Sequence, residues 1–359
     1  MPGGTARATR GVLDGLQESG RFELVGVAAR HAVDENEVVD LPIPVHHFAV
    51  PRPVLYEGWH RFGRFAVERQ TGPVDLIWAG AMVVPPATVP TVVTVNDIDF
   101  LHHPEHLSSR GRTFFPRAWK VTLERAAAIV CPTQLVADDV TDAGADHNRV
   151  HVVPLGVAVP EVSDAEAEQT RHRLGLPKTF ALWVGTLEPR KNLPALVAAM
   201  SEVKDLPLVV AGPDGWVIDG ADVLAPLGSR VHRVGRVDEA DLHALYRAAS
   251  VFLLPSLAEG FGLPVVEAMA HGTPVVTSRG TATEEVAGGA ALLVDPTKPF
   301  EIADAIQQVL NDPVVAKRLS EDGQRRAGAL TWAAAGTGYA DVFDSVLANT
   351  ASGGGALPQ

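Results

Sequence analysis

The sequence predicts an α/β protein built from two doubly wound parallel-sheet domains. Three observations carry that prediction. The chain has 359 residues, more than one ordinary core accommodates. Short Val-rich runs alternate with helix-like segments along its length, the rhythm of strands joined by helical crossovers. Nearly all of those runs are continuously apolar, as expected of strands covered by helices on both faces.

In the first half, strands are expected over 22–29, 45–50, 76–79, 91–96, 127–133 and 151–157. In the second half they are expected over 180–185, 208–212, 231–237, 251–255, 274–278 and 291–294. Polar, Glu-rich sequence over 160–178 interrupts the rhythm and marks the boundary. The N-terminal domain then covers 1–160 and the C-terminal domain 175–330, with a helix over 331–347 packing back on the N-terminal domain. The glycine-rich tail, 348–359, is expected to be disordered. At the front, a Gly-rich loop leads straight into a helix over 6–19. Such a loop normally follows a first strand. None precedes this one, so either that strand is absent or the true start lies upstream. Ligands of doubly wound sheets sit beyond the carboxyl ends of the strands. Two facing domains would therefore place a site in the cleft between them.

Composition narrows the function. A formal net charge of −13 argues against nucleic acid as a partner. Residues 1–150 carry 14 Lys/Arg against 18 Asp/Glu, and residues 151–359 carry 16 against 25. The first half is thus the side better suited to an anionic acceptor or lipid. The single cysteine, Cys131, excludes an internal disulfide framework and suits a reducing compartment; it reads as a small buried strand residue. With no long apolar run and no signal-peptide core, the expected address is cytoplasmic, with the inner face of the membrane as an extension.

Two segments carry chemistry. The first runs Gly185-Thr-Leu-Glu-Pro-Arg-Lys-Asn192, a strand end followed by a basic pair ahead of a helix. The guanidinium fork of Arg190, the point charge of Lys191 and helix-end amides together suit a diphosphate; a solvated loop pair is the plain alternative. The second runs from Pro255 to Ala270, where a glycine-flanked turn presents Glu259 ahead of a helix starting at Leu263 or Pro264. Gly260 and Gly262 allow close backbone approach to a ligand. Glu267, one turn into the helix, can bond vicinal hydroxyls such as those of a ribose. By itself it reads more readily as an acid that complements the helix dipole.

In order and spacing these segments resemble glycosyltransferase family 4, retaining enzymes with two Rossmann-like domains (the GT-B fold). The match includes the Glu259–Glu267 pair at E-x(7)-E spacing, His271-Gly-Thr-Pro-Val-Val, and the stretch from Glu284 to Pro296. It continues more weakly at Thr133-Gln-Leu-Val-Ala-Asp-Asp and Val153-Pro-Leu-Gly-Val. The resemblance implies that Arg190 and Lys191 hold a donor diphosphate and Glu259 meets donor sugar hydroxyls. It implies further that Gly185 and the amides of Phe261, Gly262 and Leu263 line the donor, that Glu267 takes the ribose, and that the base lies near Val234 and Gly235. No metal or other cofactor is implied, and the departing phosphate oxygen is expected to help deprotonate the acceptor.

In the first half, Gly3 and Gly4 match the family's phosphate-approaching Gly-Gly loop. The segment from Thr91 to Glu105 matches the stretch where many members carry His-Asp, here Asn96-Asp97. Asparagine can bond a hydroxyl but cannot carry a titrating proton. Asp97 is a candidate catalytic residue with an ordinary loop cap as the alternative. His102, His103 and His106 lie in a Pro-containing loop without paired carboxylate or cysteine spacing, so no metal site is expected. Arginines, Lys120 and the aromatics Phe114, Phe115 and Trp119 mix over 110–125, a candidate peripheral membrane contact. The alternative has the aromatics packed inward and the cations solvated, and the modest apolar asymmetry favours it.

The expected activity is transfer from a nucleotide-diphosphate sugar to a glycan or lipid-linked acceptor. Similarity to mannosyltransferases of surface polysaccharides and lipid-linked glycans favours mannose carried by GDP. A sugar-nucleotide epimerase and a catalytically degenerate scaffold are the alternatives. A dehydrogenase is disfavoured because no G-x-G-x-x-G follows a strand.

Overall fold

The computed structural model of the chain describes residues 3–30, 41–215 and 219–352. They divide into two compact units: Val157–Thr331, and Pro2–Gly156 together with Trp332–Gln359.

The unit that contains the first half starts with helix α1 (Gly4–Ser19), then strands β1 (Gly26–Arg30) and β2 (Val45–Pro51). Helices α2 (Arg52–Phe62) and α3 (Glu68–Thr71) precede β3 (Ile77–Ala79) and β4 (Thr91–Thr94). After α4 (Asp99–His102) and α5 (Ser109–Arg125) come β5 (Ala126–Cys131), α6 (Gln134–Asp142) and β6 (Val150–Val152). All pairing is parallel, in two separate sheets among the described residues: β1–β2, and β3-β4-β5-β6. Only β4 and β5 are buried nearly throughout; β2 is buried at Phe48 and largely exposed elsewhere. Cys131 is buried in β5, and burial pushes its thiol up to about 12, so it is an inert packing residue.

The second unit begins with α7 (Asp164–Arg173), β7 (Ala181–Val184), α8 (Leu193–Glu202) and β8 (Leu208–Ala211). It continues through α9 (Gly220–Leu224), β9 (Val231–Gly235), α10 (Glu239–Ala248), β10 (Val251–Leu254), α11 (Leu263–Ala270) and β11 (Val275–Ser278). It closes with α12 (Ala282–Ala287), β12 (Leu292–Val294), α13 (Pro299–Asn311) and α14 (Pro313–Gly328). One parallel sheet runs β12-β11-β10-β7-β8-β9. Its four inner strands are buried at every residue. Phe180, Trp183 and Phe252 are fully enclosed, each contributing roughly 2–3 kcal/mol of apolar burial.

The polar stretch 160–178 is not an open linker. It holds α7, which starts on a reciprocal cap: Ser163 Oγ accepts the Glu166 amide while the Glu166 carboxylate accepts the Ser163 amide. This helix packs on α10 of the second unit, and the chain changes unit earlier, at Gly156/Val157.

The last helix, α15 (Trp332–Ala351), returns to the first unit and packs along α1. The seam is tight because glycines face each other: a Cβ on Gly15 would lie 2.0 Å from the Trp332 carbonyl oxygen, and one on Gly336 would lie 2.1 Å from the Gly15 carbonyl carbon. Tyr339 on α15 shares a 2.9 Å hydrogen bond with the Thr94 hydroxyl on β4, which also accepts from Trp78 Nε1 at 2.9 Å. Residues 348–351, expected in a disordered tail, complete α15; the rest of that tail, 353–359, lies outside the described residues.

Candidate donor-binding site

The sheet order of the second unit fixes where its site lies. β7 is followed by β8 on one side, while β10 returns on the other, so the strand order reverses between β7 and β10. Crevices at such reversals, beyond the carboxyl ends, are where doubly wound sheets bind ligands. Arg190 and Lys191 leave the end of β7, and Glu259 leaves the end of β10. Segments nearly seventy residues apart are therefore neighbours because their strands are hydrogen-bonded, Val251 opposite Ala181.

Local structure then locks them together. Pro189–Lys191 form one 3₁₀ turn, ended by Asn192 in the left-handed region at φ 57°. The Asn192 amide donates to the carbonyls of Pro255 (3.0 Å) and Pro296 (2.7 Å), and the Leu257 amide donates to the Arg190 carbonyl at 2.7 Å. Across this clamp, Arg190 Nη1 meets Glu259 Oε2 at 2.9 Å and Lys191 Nζ meets Glu259 Oε1 at 2.5 Å. Ser256 Oγ donates to the same Oε1 at 2.9 Å, and Glu188 accepts from Arg190 Nη2 at 2.8 Å. Burial would raise the Glu259 carboxyl, but the charges of Lys191 and Arg190 override it and hold the group at about 2. Glu188 and Ser256 carried no role in the sequence reading. Their signal was proximity in the chain, two residues before Arg190 and three before Glu259.

The turn after Glu259 requires glycine. Gly262 sits at φ 88° and caps α11, and a Cβ there would lie 2.6 Å from Thr283 Cγ2. Phe261 and Leu263 flank it and are buried, and the first amides of α11 have no acceptor within their own helix. Glu267 is 1 % exposed and accepts from the Tyr246 hydroxyl on α10 at 2.9 Å. Its carboxylate is thus held inside the helix layer, and Tyr246 is a partner that sequence spacing did not reveal. Beside it, His243 Nδ1 and His271 Nε2 are 2.8 Å apart and buried, and burial with the neighbouring His243 and Arg247 pushes His271 down to about 4. Gly185 follows the last residue of β7, and its amide donates to the Ala211 carbonyl at 3.0 Å. Val234 and Gly235 end β9, the edge strand two places from β7, on the same carboxyl edge.

The candidates of the first unit are differently placed. Asp97 follows β4, and its carboxylate accepts the Asp99 amide at 3.3 Å, the bond of a loop cap at the start of α4. Gly3 caps α1 and Gly4 opens it; both are exposed, and a Cβ on either would meet nothing within 4 Å. The histidines, read without carboxylate partners from spacing, each have one: His102 with Asp139 at 2.7 Å, His103 with Glu105 at 3.1 Å and His106 with Asp99 at 3.2 Å. On α5, Trp119 is buried and Phe114 and Phe115 pack against the same core, while Arg110, Arg112 and Lys120 are exposed. This is the inward-packed arrangement. No helix among the described residues is long and apolar enough to cross a membrane.

Comparison with known proteins shows the family and the fold. Residues 164–326 match the model described as glycosyl transferases group 1, and residues 2–159 match that of glycosyltransferase family 4. The chain belongs to this group of GT-B glycosyltransferases. Among its relatives, the O-antigen chain mannosyltransferase B of Escherichia coli is 38% identical over 161 residues, 43% of this chain and 42% of that protein. The D-inositol 3-phosphate glycosyltransferase of Corynebacterium efficiens is 30% identical over 276 residues, 68% of this chain and 65% of that protein. The chain thus spans less than two thirds of either relative. HepE of Anabaena, solved with UDP and glucose, superposes with a TM-score of 0.77 at 19% identity over 96% of this chain and 97% of that one, a likeness of fold.

Proposed function

We propose that the protein is a retaining glycosyltransferase that moves a sugar, mannose in the favoured reading, from a nucleotide-diphosphate donor to a glycan or lipid-linked acceptor. The observation that carries this is the cluster of half-buried Arg190 with buried Lys191 and Glu259 at the strand-order reversal. Two cations beside the start of α11 suit a diphosphate, and a carboxylate between them suits sugar hydroxyls. The donor's C1–O bond to the diphosphate breaks as the acceptor oxygen bonds C1 on the same face. The acceptor proton passes to the departing phosphate oxygen. In this reading Glu267, held by Tyr246, takes the ribose, and the base sits by Val234 and Gly235. The nucleotide's charge is met by Arg190, Lys191 and helix amides, with no metal required. Relatives named as mannosyltransferases support mannose, and GDP is the carrier in this reading. Asp97, Gly3 and Gly4 belong to the acceptor and phosphate side, and the exposed cations of α5 suit a peripheral contact with the cytoplasmic face of an anionic membrane.

The test is transfer or slow donor hydrolysis by the purified protein across GDP-, UDP- and ADP-sugars, with and without EDTA. Activity with GDP-mannose that survives chelation and disappears in Glu259→Ala is expected. A protein that binds nucleotide sugar without turnover would point to a degenerate scaffold, and C-epimerised donor without transfer to an epimerase.

A further inference from the structure

The ion cluster at the reversal point is already balanced. Arg190 and Lys191 face two buried carboxylates, Glu188 and Glu259, and both oxygens of Glu259 are engaged. A diphosphate added to this arrangement would meet cations already committed and would lie beside two buried negative charges. Burying like charges without compensation is strongly unfavourable. Glu259 is also the group with somewhere to go. Glycines at 260 and 262 follow it, the latter in a left-handed conformation, and the turn they form leads into α11.

We propose that the Glu259 carboxylate is a resident anion in the position of the donor diphosphate, displaced by the incoming donor and thereby delivered to the hydroxyls of the donor sugar. The proposal rests on the nucleotide-sugar reading above. Ser256 is the positioning residue that holds the carboxylate in its resting place. An intact donor offers the displaced Glu259 new partners, whereas a spent nucleoside diphosphate offers none. Once the sugar has left, Glu259 returns to Arg190 and Lys191 and helps expel the product. The exchange therefore makes the site discriminate for loaded donor over product.

Calorimetric titration with inorganic pyrophosphate isolates the anion position, because that probe has neither base nor sugar. Glu259→Gln keeps the size and removes the charge, and it should bind pyrophosphate about tenfold more tightly than the parent, the equivalent of one charge-assisted hydrogen bond. Ser256→Ala should shift binding the same way by a smaller factor, and it keeps the test open if Glu259→Gln does not fold. Glu188→Gln should tighten binding less than Glu259→Gln. GDP and UDP should follow pyrophosphate, while GDP-mannose and UDP-glucose should bind Glu259→Gln no more tightly than the parent. Unchanged or weaker pyrophosphate binding in Glu259→Gln overturns the proposal, as does equal tightening in Glu188→Gln. Failure of the parent to bind any nucleotide sugar would instead sink the transferase reading, and it is read in a separate titration.

Discussion

The two units use the same strand–helix alternation, yet only one buries its chemistry. In the Val157–Thr331 unit a single six-stranded sheet brings β7 and β10 together, and their loops meet in a clamp of buried opposite charges. In the other unit the strands split, among the described residues, into sheets of two and four, and the candidate groups are exposed or engaged in local loop bonds. A sheet that continues through its reversal point converts sequence-distant residues into neighbours, so the proposed donor site and the stability of the unit would share the same contacts. A unit whose site residues merely cap loops separates the two.

That contrast is breakable. Glu259→Ala should cost both properties at once: a loss of at least about a hundredfold in transfer rate, and about 3 kcal/mol of stability from leaving buried Lys191 without its counter-charge. Initial rates and urea unfolding of the same preparation read the two together; loss of rate at full stability would break the coupling. In the first unit, Gly15→Val should destabilise by about 3 kcal/mol or less, since side-chain atoms are forced into the α1–α15 seam, and limited proteolysis should cut that unit first.

Acid should act on both units through one kind of group. His271 in α11's flank and His60 on α2 are both buried and held near about 4, well below the ordinary imidazole value. Both ring nitrogens of His60 are without a partner among the described residues, and its ring stacks on Phe114 at 5.2 Å. A depressed imidazole favours the neutral folded form. The unfolded chain therefore binds more protons between about 6.5 and about 4, so stability is present above that window and lost on descending through it. The loss for His271 should be on the order of 2 kcal/mol, and His271→Gln should flatten the profile of the second unit only. Glu259 acts lower, as pH falls from the ordinary carboxylate range toward about 2. The smallest effect is expected from Tyr246→Phe, about 1 kcal/mol for a lost buried hydrogen bond, with a raised KM for donor if Glu267 reads the ribose.

Much of the fold was legible because nearly every strand is a continuous apolar run, β2 and β9 with their histidines being exceptions. All twelve expected strands are found, most with shorter ends. The run expected over 22–29 pairs only from Gly26, because Phe22 packs edge-on against Phe343 of α15 instead of entering the ladder. Arg190, Lys191 and Glu259 were singled out by their two segments together with the family resemblance, and they meet in the structure. What spacing could not show was pairing across space: Tyr246 on Glu267, Asp139 beside His102, and α7 on α10. Those partners are set by which strands neighbour each other, a property of topology and not of any local pattern. The split of the first unit's strands into two sheets is equally nonlocal.

The return of α15 to the first unit has a consequence for how the molecule is made. Synthesis delivers α1 before the helix that closes against it, with the whole of Val157–Thr331 in between. The second unit can complete its sheet while the nascent chain is still growing, but the Gly15–Gly336 seam must wait until Trp332 and the turns beyond it have left the ribosome. During translation the first unit to begin is therefore the last to finish, and a chain arrested near Thr331 would carry a complete ion clamp attached to an unfinished neighbour.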